Sequence, residues 1–173
     1  MIWTLQILVS VIFFTNKVFV LAEKKAGWLL GAIAASLAVF YFFFIQLYVY
    51  TALEFGLIAL MGYGFLKGEE KKPQAETLIR VITIVVMLAL GYFAWSGIIT
   101  AVELVSSLAL LVGTFLLTHN KARAGWVLYA VAHGLAAYLG YHKDQWVFAD
   151  FQIASMIISV VGAMKSSAQK ASS

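Results

Sequence analysis

AGWLLGAIAASLA, residues 26–38, returns as AGWVLYAVAHGLA at residues 124–136. With the chain displaced by 98 positions, the register holds without a gap from Ala26 on Ala124 to Lys67 on Lys165. Of these 42 positions, 11 carry the same residue: Ala26, Gly27, Trp28, Leu30, Ala32, Ala34, Leu37, Ala38, Val49, Gly64 and Lys67. Self-similarity at one fixed spacing marks a structural unit present twice. The expectation is two copies of one unit, with a binding site where they face each other.

Composition says what kind of unit this is. Hydrophobic residues make up 63% of the 173, and mean hydropathy is +0.93. Only 12 Lys and Arg and 8 Asp and Glu are present, far fewer charges than a soluble domain needs on its surface. The chain reads as an all-α integral membrane protein with almost no soluble part. No cysteine is present, so disulfides and thiolate metal sites are excluded. The one proline, Pro73, lies in a polar segment, so no span is kinked by proline.

A spanning helix needs about 20 predominantly apolar residues. Seven such stretches are predicted, at 2–22, 27–45, 47–66, 77–95, 98–118, 124–141 and 146–164. The only linker with marked polar content is KGEEKKPQAE, residues 67–76. The internal match lays helices 5–7 on helices 1–3 and leaves helix 4 over, a 3+1+3 arrangement. The expected units are residues 1–67, a connecting segment with helix 4 at 68–96, a second unit at 97–165, and a disordered polar tail at 166–173.

Charge placement orients this arrangement. With seven spans, Lys24, Lys25, Lys67, Lys71, Lys72, Arg80, Lys121, Arg123, Lys165 and Lys170 share one side, and Lys143 stands alone on the other. The basic isoelectric point, about 9.3, is thus explained by topogenic charge rather than nucleic-acid binding. The positive-inside rule puts the N-terminus outside and the C-terminus in the cytoplasm. The odd helix 4 makes both units enter the membrane in the same direction, so the repeats are parallel. The first apolar run has no basic residues before it and a lysine pair after it, and reads as a mature span rather than a signal peptide.

Polar residues inside the spans are functional candidates, because a charge at the bilayer centre costs about 2.5–3.5 kcal/mol on insertion scales. They are Asn16 and Lys17 in helix 1, Glu54 in helix 3, Glu103 in helix 5, His133 in helix 6, and Asp150 and Gln152 in helix 7. At about 1.5 Å per residue, Glu54, Glu103 and Asp150 fall roughly 8–12 Å below the outer surface. Three carboxylates at one level would make an acidic vestibule suited to a cationic or hydroxyl-rich solute. The plainer alternative is that each reaches interfacial water or pairs with Lys17. Glu54 aligns with Gln152 in the internal match, so a polar group stands at both places. His133 lies roughly 15 Å from the inner end, placed either for a helix–helix hydrogen bond or for direct solute contact. Lys17 is close enough to the inner end to snorkel or to pair.

The five tryptophans, Trp3, Trp28, Trp95, Trp126 and Trp146, all fall near helix ends, as an interfacial belt requires. Tyr129, one turn deeper than Trp126, is the better ring for stacking on a heteroaromatic solute. Small residues in helices 2 and 6 predict close packing there. No HExxH, no Gly-rich phosphate loop, no carboxylate–His metal spacing and no Ser/His/Asp set is found. The expectation is a non-enzyme without metal or cofactor, and no lysine in helix 7 could carry a retinal Schiff base.

Seven helices, the 3+1+3 parallel repeat and aromatic-ended helices 2 and 6 resemble the PnuC-type vitamin transporters, relatives of the SWEET sugar transporters. The likeness is best where Phe44-Ile45-Gln46-Leu47-Tyr48 precedes Glu54 and Gly62-Tyr63-Gly64. It is looser in helix 6, where the family tends to carry W-x-x-W-x-x-x-N and this chain has Trp126, Tyr129 and His133. Helix 2 has Trp28 but no Asn, and Glu54 stands where the family often has Gln. The resemblance implies a multi-pass protein of the bacterial inner membrane, a homotrimer with one pathway per protomer, and facilitated diffusion of a vitamin-like nucleoside such as nicotinamide riboside. Thiamine or another nucleoside remains open.

The reading is a transporter for a small heteroaromatic vitamin or nucleoside. Its candidate binding residues are Trp126, Tyr129, His133, Glu54, Gln152, Asp150 and Asn16. Its partners are a small solute and membrane lipid, with no nucleic acid. The rival is a non-transporting structural or regulatory membrane protein of the same fold. A channel would need a continuous polar path.

Overall fold

The structure is a computed structural model that describes residues 2–67 and 73–171. Among the described residues the chain forms seven helices: α1 (Ile2–Leu21), α2 (Lys25–Phe44), α3 (Tyr48–Leu66), α4 (Pro73–Trp95), α5 (Ala101–Thr118), α6 (Ala122–His142) and α7 (Trp146–Ala171). Six of them are long and apolar enough to cross a membrane. The protein is a multi-pass, all-α membrane protein.

The exception is α6, which was expected to span and falls short in hydropathy. Its sequence includes Arg123, His133, His142 and the glycines Gly125, Gly134 and Gly140. Packing explains the composition. Helix α6 lies between α5 and α7, and Ala132, Ala136 and Ala137 on it are buried. A helix covered by neighbours needs little lipid-matching surface, and small residues let those neighbours approach. In the same way α2 lies between α1 and α3, with Ala34, Ala35 and Ala38 wholly buried.

Two further contacts close the bundle: α1 packs on α7 and α3 on α5. The six helices α1, α2, α3, α5, α6 and α7 thus form a ring, and α4 sits outside it against α3 and α5. The α4 side chains Leu78, Val81, Ile84, Val85, Leu88 and Tyr92 are exposed, as lipid contact demands.

Short turns impose this order. The α1–α2, α2–α3, α5–α6 and α6–α7 connections each have three residues, which makes consecutive helices antiparallel neighbours. All four are closed alike. The middle residue is left-handed: Glu23 at φ 58°, Gln46 at 59°, Asn120 at 59° and Asp144 at 56°. The next N–H then donates five residues back, Lys24 to Phe19 O, Leu47 to Phe42 O and Lys121 to Leu116 O at 2.9 Å, and Gln145 to Gly140 O at 2.8 Å. This is the Schellman closure of a helix C-terminus.

Three boundaries differ from expectation by three residues or more. Helix α4 begins at Pro73 rather than residue 77, because proline is favoured in a first helical turn, where its missing N–H costs nothing. The rest of the expected linker, 68–72, lies outside the described residues. Helix α5 begins at Ala101 rather than residue 98, because Thr100 caps it. The tail expected to be disordered from residue 166 is helical as far as Ala171. The Ser166 and Ser167 hydroxyls donate to Gly162 O and Ala163 O, both at 2.8 Å, and no Gly or Pro interrupts the run.

Candidate functional site

Four elements of the ring turn polar side chains toward one another in the middle of the bundle. Lys17 from α1, Glu54 from α3, His133 from α6 and Gln152 from α7 line a cavity of about 40 Å³, with Tyr50, Ser106 and Tyr129 beside them. Phe13, Phe42 and Phe148 supply aromatic wall. Lys17, Glu54 and His133 are each no more than 4% exposed. A volume of this size holds a water molecule or two, so the site is closed around its polar groups.

Its hydrogen bonding is incomplete. The His133 Nδ1–H donates to Gln152 Oε1 at 2.6 Å, which in the neutral ring leaves Nε2 as an acceptor. His133 Nε2, Glu54 Oε2 and Tyr50 OH all lack a partner. Lys17 Nζ makes one bond, to Phe13 O at 3.3 Å, and lies over the Phe13 ring at 5.2 Å. Among the described residues no ion pair joins Lys17 to Glu54. Ser106 Oγ donates to Ala132 O at 3.1 Å, and Tyr129 OH meets Thr114 Oγ1 at 2.8 Å. A buried polar atom without a partner costs about 1–3 kcal/mol, and three residues carrying such atoms around one cavity point to a place for a ligand.

A larger cavity, about 550 Å³, opens at one end of the bundle. It is lined from the C-terminal ends of α1, α3, α5 and α7 and the N-terminal ends of α2 and α6, with Lys25, Lys67 and Lys165 at its rim. The internal sequence match is visible here as geometry. Trp28 lies over Gly64, where an added Cβ would come within 2.7 Å of its ring, and Trp126 lies over Gly162, where it would come within 2.5 Å. Lys67 Nζ donates to Thr118 O, at the end of α5, at 2.5 Å. Lys165 Nζ donates to Leu21 O, at the end of α1, at 3.1 Å. Each lysine meets the negative end of a helix dipole in the opposite half.

Trp126 packs edge-on against Tyr129 at 5.8 Å, and Tyr129 against His133 at 5.5 Å. One face of α6 thus carries a column of rings from the wide cavity to the central one. The opposite end of the bundle is shut. Gln145 Oε1 accepts from Gln6 Nε2 at 3.2 Å and from Tyr41 OH at 3.0 Å, above a remnant cavity of about 20 Å³.

Of the residues singled out in the sequence, the structure gathers Glu54, His133, Gln152 and Tyr129 at the central cavity. It places the other three elsewhere. Trp126 lines the wide cavity. Asn16 Nδ2 donates to Gly27 O at 2.7 Å and ties α1 to α2. Asp150 is exposed and accepts from Tyr141 OH at 2.7 Å.

The acidic vestibule does not form. Glu103 accepts from Thr100 N at 2.8 Å, completing a capping box, and from Lys143 Nζ at 2.6 Å, so its carboxylate is committed to the start of α5. Lys17, expected to snorkel or to pair, instead stays inside the ring and lines the cavity. Distance along the helix put it near water, but its helical face points inward. No group of His, Cys, Asp and Glu that could hold a metal ion is found among the described residues. Comparison with family models, with curated proteins and with solved structures finds no match to this chain.

Proposed function

We propose that the chain is a membrane transporter that carries a small heteroaromatic vitamin or nucleoside by facilitated diffusion, with the solute held at the central cavity. The observation that carries this reading is the buried cluster of Lys17, Glu54, His133 and Gln152 with two unpaired acceptors. A packed scaffold gains nothing from such atoms, and polar groups inside a span are retained for solute or ion pathways. The cluster draws on α1, α3, α6 and α7, so motion of one half against the other would open and close it.

In this proposal the chain is a 3+1+3 parallel repeat, with N-terminus outside and C-terminus in the cytoplasm. Support comes from the matched Trp–Gly–Lys sets at one end of the ring and from α4 lying outside it. The wide lysine-rimmed cavity then faces the cytoplasm, and the Gln6–Tyr41–Gln145 clasp closes the outside. The resemblance to PnuC-type transporters adds a homotrimer in a bacterial inner membrane to the proposal. The small central volume favours a second reading, a non-transporting scaffold.

A thermal-shift screen of purified protein against vitamins and nucleosides separates the two. A solute at 100 times its dissociation constant should add about 2.7 kcal/mol of stability. Glu54→Ala and His133→Ala should each abolish most of that gain and still fold. A flat response across the panel, or full affinity in both variants, leaves the scaffold.

A further inference from the structure

We infer that the central site is charge-balanced and selects an uncharged solute over a cation of the same shape. This deepens the proposed function and rests on it. Three carboxylates in one layer would have favoured a cation, but only Glu54 reaches the cavity, and Lys17 shares that cavity with it. Glu103 is held by Thr100 and Lys143, and Asp150 faces out toward Tyr141.

With one titratable proton held between Lys17 and Glu54, their charge sums to zero wherever that proton sits. Ammonium with carboxylate, or amine with carboxylic acid, both total zero. The third basic group, His133, is held by Gln152 through Nδ1 and has no partner at Nε2; a proton there would be a buried charge without an acceptor, which favours the neutral ring. A cation drawn to Glu54 would enter the field of Lys17 inside a low-dielectric bundle, and its own desolvation would go uncompensated. An uncharged solute meets neither penalty.

The hydrogen-bond inventory gives the same answer in more detail. Glu54 Oε2 and His133 Nε2 are two acceptors that require two donors from the solute. Lys17 has three N–H groups, of which one is used on Phe13 O, so it requires acceptors. A solute with hydroxyl or amide N–H donors on one side and carbonyl or hydroxyl oxygens on the other satisfies all three. An uncharged nucleoside has that pattern, and its base has a flat face for the Phe42 and Phe148 rings, which meet edge to face at 5.9 Å.

The test compares nicotinamide riboside, a fixed pyridinium cation, with its uncharged dihydropyridine form, and adds uridine and thiamine as an unrelated neutral and cation. Binding is measured by calorimetry on the purified full chain. The wild type should bind the uncharged member of each pair at least tenfold more tightly. Lys17→Met removes the basic partner of Glu54 and should shift the preference toward the cations by tenfold or more. Glu54→Gln should shift it the other way, and carries the test if Lys17→Met does not fold.

Tighter binding of the cations by the wild type, lost in Glu54→Gln, overturns the charge-balance inference and leaves the site in place. Binding of neutral and cation alike, unmoved by either substitution, overturns it too. Binding of no probe removes the proposed function and this inference together.

Discussion

The two halves of the ring agree at one end and diverge in the middle. At the wide cavity, Trp28, Gly64 and Lys67 do what Trp126, Gly162 and Lys165 do, down to a lysine that caps a helix in the other half. Around the central cavity Ala132 and Ala136 keep the alanines of Ala34 and Ala38, while the chemistry-bearing pairs differ: Gly31 against Tyr129, Ala35 against His133, and Glu54 against Gln152. Identity is kept at the tryptophan seats, and the halves differ in the polar and aromatic groups shown to the central cavity. Two equal halves would enclose a site with two-fold symmetry. An asymmetric solute needs the symmetry broken at the contact atoms and nowhere else.

The shared packing is the feature most open to breakage. Gly162→Ala and Gly64→Ala each push a methyl into a tryptophan ring, and overpacking of this kind costs about 1–3 kcal/mol. Gly62→Ala, two residues from Gly64 with nothing within 4 Å of the added carbon, should cost almost nothing. Unfolding midpoints in one detergent would give the comparison directly. Equal losses at Gly64 and Gly62 would show that the tryptophan seats are incidental, and the likeness of the two halves would then need another explanation.

Glu103 lies outside the matched stretch, and the residue 98 positions before it is Leu5. Glu103→Ala removes the capping box and the Lys143 pair and should cost about 1–2 kcal/mol. It should leave unchanged the affinity for whichever probe of the panel binds. Loss of binding with the fold intact would return Glu103 to the solute pathway and restore the acidic layer read from the sequence.

That misreading shows where sequence stops being informative. Length and hydropathy located all seven helices, to within two residues except at the starts of α4 and α5 and the end of α7. The internal match also identified α6, which hydropathy alone undersells. The capping box was legible too, as Thr100-Ala101-Val102-Glu103, and would have moved the start of α5 from 98 to 101 and taken Glu103 out of the vestibule. Which way Lys17, Asn16 and Asp150 point was not legible. Rise per residue gives depth along a helix, and all three fell at plausible depths. The direction of a side chain around the axis depends on which neighbours the helix packs against, and that is fixed by the ring. The pairing of α1 with α7 turns Lys17 inward, and no local pattern near residue 17 records it.

The finest contrast lies in two turns that occupy the same place in each half. Gln46 and Asp144 align in the internal match, and both hold left-handed backbone, at φ 59° and 56°. Aspartate tolerates this conformation because its short side chain bonds locally, whereas a longer side chain pays about 1 kcal/mol to occupy it. Glycine would relieve that strain and lose part of the gain to its more mobile unfolded state. Gln46 is exposed, so little else changes with it. Gln46→Gly should therefore raise stability by about 0.5 kcal/mol, and Asp144→Gly by close to nothing, in matched denaturant titrations. If both turns gain equally, the residue types at these caps carry no information. The halves would then be alike in their turns as well as in their tryptophan seats.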